Sequence, residues 1–208
     1  MLTKLKLCLT LVLLGFPFLA TYASPVPIRV TVFIHDDVPK NVRSSTFMRN
    51  VYPWTQEMQR ITERDITVTY RERVPGITDI PYMDAQAIDN LAAMQKNLPD
   101  YLMTQNQANP DYRTEKFIVL TSRYAGTLQG YATPAAYTGF AFTHVDTTAA
   151  HELGHMFGAD HDDGGTTDAN GLWCQTFMPS VYDHELPTCN RYSDRNRQMI
   201  KRYLNASP

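Results

Sequence analysis

From residue 28 onward, apolar positions recur with two different periods, and the switches between them divide the chain into elements. Residues 28–34 are β-branched and partly alternating, with Ile28, Val30 and Val32 spaced by Arg29 and Thr31, and read as a first strand. Phe47, Val51, Trp54, Met58 and Ile61 then fall at helical spacing, which predicts a helix capped by Ser44 or Ser45 and running to about residue 64. Residues 66–70 alternate again as a second strand. After a Pro75-Gly76 turn, a second helix is expected from about Asp84 to Met94, with room to continue past Pro99. The aromatic and Met residues of these helices read as core.

Residues 106–114 form a polar loop, and Phe117, Ile118, Val119 and Leu120 make a continuous apolar run of the kind found in a buried central strand. Strands alternating with helices predict an α/β fold: a mixed, mostly parallel twisted sheet with crossovers. Residues 128–132 and 139–142 give two more short strands with no helix between them. Asp146, Thr147 or Thr148 caps the next helix, and Ser193 caps a last one whose apolar face is Met199, Ile200, Tyr203 and Leu204. No repeat or linker divides residues 24–208, so one domain is expected.

Residues 1–23 stand apart. Lys4 and Lys6 precede an apolar run from Leu7 to Ala20, and Thr21-Tyr22-Ala23 ends it in small-residue context, so a signal peptide cut after Ala23 is expected. A retained anchor is the alternative, but the apolar core is short for a bilayer span. The first strand follows within a few residues, which leaves no room for a propeptide after that cut. Cleavage takes away Lys4, Lys6 and no acid, so the formal charge of −2 becomes more negative by two. That mild balance offers no basic footprint for nucleic acid. It also removes Cys8, leaving Cys174 and Cys189 in an oxidising secreted or periplasmic compartment, where an even pair suggests one disulfide.

The chemistry concentrates in residues 151–161, which read H-E-x-x-H-x-x-G-x-x-H. Residues four apart share a helix face, so His151 and His155 can offer imidazole nitrogens to one ion. Zinc suits them, taking neutral imidazole at about 2.0–2.1 Å in a tetrahedral shell. Glu152 stands about 100° further round the helix, beside the metal without ligating it, in the place of a general base for a metal-activated water. Gly158 lies where a left-handed residue ends a helix, so the chain can turn and bring in His161 as third ligand. Three protein ligands leave a fourth position open, which is a catalytic arrangement. His35 and His144 have no such partner pattern and read as structural.

At these residues the chain resembles the metzincin zinc metallopeptidases, whose extended motif is this one followed by a Met-turn. The likeness in motif covers about residues 128–180. It implies a zinc-dependent endopeptidase with His151, His155 and His161 as ligands and Glu152 as base. Thr176-Phe177-Met178-Pro179 resembles the Met-turn, where the methionine forms an apolar floor under the imidazoles and is not a ligand; Met178 lies 17 residues after His161. Asp162 directly follows the third ligand, as in the adamalysin-like branch, where the acid supports the base of the site. The family's edge strand runs antiparallel along the cleft, and Gly130, Tyr131 and Ala132 resemble it, which implies pairing with an extended substrate by strand addition. Where some branches place a metal-approaching tyrosine two residues after the methionine, this chain has Ser180; Tyr182 and His184 are weak substitutes.

Asp162, Asp163, Asp168 and Asn170 form an oxygen-rich stretch that could hold Ca2+, but their spacing matches no calcium loop and a solvated turn is favoured. The expectation is therefore a secreted zinc peptidase acting on a protein or peptide substrate, alone or as a subunit of a secreted assembly. It should touch neither nucleic acid nor, after signal cleavage, membrane. The alternatives are an exported effector protease with a single substrate, and a secreted binding module that keeps zinc for stability.

Overall fold

The structure, a computed structural model, describes residues 25–82, 87–107, 109–122, 129–161, 165–169 and 171–206. Residues 1–24, with the expected signal peptide and Cys8, and Asp84, Leu128, Asp162, Asp163 and Asn170 lie outside the described residues. No helix among the described residues is long and apolar enough to cross a membrane.

The sheet is built from β1 (Ile28–Ile34), β2 (Ile66–Glu72), β3 (Glu115–Thr121), β4 (Gly130–Tyr131) and β5 (Thr138–Phe142), in the order β2-β1-β3-β5-β4. The first four in that order are parallel, and β4 runs antiparallel along β5 with Gly130 opposite Ala141 and Tyr131 opposite Phe140. Among the described residues, the α-helices packed around it are α1 (Lys40–Thr46), α2 (Tyr52–Thr62), α3 (Ala87–Thr104), α4 (Thr148–Met156) and α5 (Asp194–Asn205). A two-stranded hairpin, β6 (Thr166–Ala169) and β7 (Leu172–Gln175), stands outside the main sheet.

Strand alternation sorts the core into two layers, because successive side chains point to opposite faces. Ile28, Val30, Val32 and Ile34 of β1, Ile118 and Leu120 of β3 and Ala141 of β5 join Trp54, Met58, Leu153, Met178 and Ile200 on one face. Phe33, Phe117, Val119, Phe140 and Phe142 meet Leu91, Met94 and Leu98 of α3 on the other. The motif helix α4 thus shares its face with α2 and α5, while α3 covers the back together with Ile77 and Tyr82 of the preceding loop.

Three element boundaries differ from the sequence reading. The first helical arm begins at Lys40, without a serine cap, and is interrupted by a π-helical turn at Phe47–Val51. Pro53 at the start of α2 explains the interruption, since it has no N–H to donate and its ring crowds the carbonyl four residues back. The widened turn places Asn50, whose Nδ2 donates to Val145 O at 3.2 Å, and Arg49, which pairs with Asp146 at 2.7 Å, against the entrance to α4. Second, α3 ends at Thr104 rather than Met94, taking the continuation past Pro99 that the sequence left open. Third, part of the oxygen-rich stretch is a strand: Asp168 lies in β6, and its carboxylate accepts from the Gly171 N–H at the hairpin turn.

Candidate active site

Helix α4 is buried along nearly its whole length, packed between the sheet and α2. Its N-cap is Thr147, without a side-chain hydrogen bond to the first turn; Asp146 is engaged by Arg49 instead. The C-terminus closes as a Schellman motif. Gly158 takes φ +84°, its N–H donates to His155 O at 2.9 Å, and the Ala159 N–H donates to Gly154 O at 2.9 Å. A side chain at position 158 would pay the left-handed penalty, which glycine escapes. The chain reverses there and returns as His161.

The reversal brings three imidazoles together. His151 Nε2 lies 3.2 Å from both His155 Nε2 and His161 Nε2, and the three candidate ligand atoms all lie within 4.8 Å of one another. The opposite ring nitrogens fix the tautomers of two of them: His151 Nδ1 sits 2.8 Å from Phe177 O and His155 Nδ1 3.2 Å from Ala159 O. A carbonyl can only accept, so each Nδ1 carries the hydrogen and each Nε2 presents a bare lone pair. Lone pairs facing at that separation repel unless a cation stands among them. Nitrogens on one tetrahedral zinc stand about 3.3 Å apart by the usual bond length, so the donor set fits such an ion. Burial lowers the pKa of His155, and burial together with the neighbouring imidazole lowers that of His151 to about 3, which keeps both rings neutral as ligands.

Glu152 is 5% exposed. Its carboxylate accepts from the Ala132 N–H, and burial raises its pKa well above the ordinary carboxylate value. It fits under the edge strand only because position 130 has no side chain: a Cβ there would lie 2.6 Å from Oε1 and 2.8 Å from Phe140 O. The edge-strand residues Gly130, Tyr131 and Ala132 all line one cleft of about 450 Å3 with the histidines and Glu152, and Pro179, Ser180, Val181 and Tyr182 form the opposite wall. Gly130 and Ala132 are nonetheless buried, and Tyr131 is the half-exposed member of the three.

Met178 is fully buried beneath this arrangement, with its sulfur against Gly154 of α4. The Met178 N–H donates to Thr176 Oγ1 at 3.1 Å, which shapes the turn. Tyr192, also buried, supports the helix from below: its hydroxyl donates to Ala150 O at 2.6 Å, and its own N–H donates to the buried Glu57 at 3.0 Å. Cys174 and Cys189 form a disulfide with a Cα–Cα distance of 5.4 Å, and the loop it closes includes Met178 and the far cleft wall. Tyr182 reaches the cleft and packs edge-on against His184. His35 and His144 stand apart; His35 lies against Ile80 O and Asp37 at the end of β1.

Solved structures share this architecture, among them two of low sequence identity. A crystal structure of archaemetzincin from Methanopyrus kandleri matches 86% of this chain and 97% of its own, at 15% identity and a TM-score of 0.53. The fold is zincin-like. A chain from a structure of a chaperone–substrate complex matches 86% of this chain but 35% of its own, at 13% identity and a TM-score of 0.51, so this chain spans about a third of that neighbour. No family model matches the sequence, and no curated protein is similar to it in sequence. At these identities the likeness is one of fold.

Several residues that build the site carried no signal in the sequence. Gly130 was legible as an edge-strand residue, not as the space for Glu152. Glu57 and Tyr192 look like ordinary helix and loop residues until the fold brings them under α4. Asn196 occupies the third position after the Ser193 cap, where its side chain has a local use of its own and nothing announces a distant partner.

Proposed function

We propose that the protein is a secreted zinc-dependent endopeptidase of the metzincin type. The observation that carries the reading is the convergence of the Nε2 atoms of His151 and His155, both left bare by their Nδ1 hydrogen bonds, with the imidazole of His161 in a cleft that also holds a buried carboxylate. His151, His155 and His161 would hold the ion, which supplies Lewis acidity toward a water and a substrate carbonyl. Glu152 follows the first ligand and lies too far round the helix to join the triad, so it serves as the base, receiving a proton from the water and delivering it to the departing amine. Burial raises its pKa, which strengthens the carboxylate as a proton acceptor. The Ala132 N–H holds the carboxylate in place while this happens.

The cleft is lined by Gly130, Tyr131 and Ala132 as well as by residues 179–182, and the edge strand can take an extended polypeptide by strand addition. Secretion is supported by the disulfide and by the character of residues 1–23. The adamalysin-like affiliation rests on Asp162 alone and is part of this proposal.

The test is digestion of a diverse peptide library by the zinc-loaded mature chain, with Glu152→Gln alongside. Cleavage by the wild type and a loss of about 10²–10⁴-fold in the variant, with zinc still bound, is expected. A zinc-loaded wild type that cleaves no peptide and no protein overturns the reading. Cleavage of one folded protein and no peptide would point to the single-substrate effector.

A further inference from the structure

His151 and His155 owe their spacing to one rigid helix, but His161 lies on chain that has left it. What holds that chain comes from outside the motif. Asn196, on the first turn of α5 and 1% exposed, turns both ends of its carboxamide onto Asp160. The Asp160 N–H donates to Asn196 Oδ1 at 2.9 Å, and Asn196 Nδ2 donates to Asp160 O at 2.8 Å. Asp160 immediately precedes His161, and its carboxylate accepts from the His161 N–H at 2.8 Å. Two bonds to the two backbone groups of one residue fix both its position and its rotation, as residues exchanging both bonds do in an antiparallel ladder.

The clamp is itself anchored. The Asn196 N–H donates to Ser193 Oγ at 3.2 Å, capping α5. One residue on, Arg197 donates to both oxygens of buried Glu57 at 2.8 and 3.0 Å, tying α5 to α2. Glu57 also receives the Tyr192 N–H, and Tyr192 holds the Ala150 carbonyl of α4. The same connected set therefore fixes the helix that bears His151 and His155 and the corner that bears His161.

We propose that Asn196 is a positioning residue for the third imidazole, and that its clamp on Asp160 sets the affinity of the metal site. The inference rests on the reading of the triad as a metal site and not on peptidase activity. Groups that orient metal ligands from behind commonly govern about 10–100-fold in metal affinity.

A double-mutant cycle on zinc binding tests it, with zinc titrated against a chromophoric chelator in the full mature chain. His161→Ala should weaken binding strongly, and Asn196→Ala by tenfold or more. If Asn196 acts through His161, the double variant should bind zinc within twofold of His161→Ala. Asn196→Asp keeps the acceptor for the Asp160 N–H but faces its carbonyl with an oxygen, and should fall between wild type and Asn196→Ala. Should Asn196→Ala fail to fold, the cycle is run with Asn196→Asp, whose circular dichroism reports the fold independently. Wild-type affinity in the Asn196 variant, or a second full loss on the His161→Ala background, overturns the proposal. A wild type that binds no zinc overturns it together with the metal reading. A wild type that binds zinc without cleaving peptides refutes only the peptidase assignment, and the cycle still decides the role of Asn196.

Discussion

Gly130 and Glu152 are in contact across the floor of the cleft, with no room between them for a methyl group. A Cβ at position 130 would lie 2.6 Å from Glu152 Oε1 and 2.7 Å from its Cγ, and a backbone oxygen, Phe140 O, blocks retreat at 2.8 Å. Gly130→Ala must therefore displace the carboxylate rather than the strand. The ligands lie elsewhere on the helix, so zinc should remain bound while kcat falls tenfold or more. Metal analysis and steady-state kinetics on the same preparation check this, and an active Gly130→Ala would mean that Glu152 is not the base.

A second glycine makes a prediction of opposite sign to helix propensity. Replacing Gly154 by Ala in the interior of α4 should stabilise an isolated helix by about 0.5–1 kcal/mol. Here the added Cβ would lie 2.5 Å from Met178 Sδ and 2.8 Å from Tyr192 Cε1. Both side chains are fully buried, and Tyr192 is tied to Ala150 and Glu57, so neither can move freely. Overpacking costs about 1–3 kcal/mol, and Gly154→Ala should lose stability in urea unfolding of the metal-free protein. A gain would show that the Met178 turn yields more readily than its burial suggests.

These two glycines also show what the sequence could convey. Residues 151–161 contain the helix spacing, the left-handed exit at Gly158 and the returning histidine, so local rules suffice to bring three imidazoles together. The sheet was legible for a similar reason: the alternation in residues 28–34 and 66–70 and the apolar run in 117–120 state which residues face a core. The π-helical turn was not, because Phe47, Val51 and Trp54 keep an apolar stripe whether the turn holds four residues or five. The β6–β7 hairpin was hidden because Thr166–Ala169 and Leu172–Gln175 are half exposed and lack a periodic apolar face. Asn196 and Glu57 escaped because their partners are distant in the chain, and a polar residue names its partner only after the fold has formed.

The disulfide should matter to the cleft as well as to the fold. Cys174 and Cys189 close a loop with a sequence separation of 15, for which the chain-entropy model gives about 3 kcal/mol. Pro179, Ser180, Val181 and Tyr182, which wall the cleft, lie inside that loop. Cys174→Ser with Cys189→Ser should therefore lower the unfolding free energy by about 3 kcal/mol and raise KM, with a smaller fall in kcat because the ligands and base lie outside the loop and only Phe177 O and Met178 within it support them. A fall confined to kcat would contradict this account of the wall.

Lys116 provides a prediction in pH. Its ammonium is fully buried at the start of β3, donating to Tyr112 O at 2.7 Å, Ala136 O at 2.9 Å and the Tyr203 hydroxyl at 2.7 Å, beneath the rings of Phe157 and Tyr203. Burial pushes its pKa down from 10.5 to about 7, against a smaller upward pull from Asp111. The unfolded chain, with an ordinary lysine, then binds more protons than the folded one between those two values. Stability from this group therefore rises as pH climbs through that window, and the full cost of the buried charge is felt below it. Lys116→Met removes the titration while filling the same space. The stability difference between wild type and Lys116→Met should shift toward the wild type by about 2 kcal/mol between pH 7 and 9, since each unit of displaced pKa is worth about 1.4 kcal/mol. Urea unfolding of both proteins across that range measures it. A difference that stays flat with pH would mean that the three oxygen acceptors and two aromatic faces hold the ammonium charged throughout.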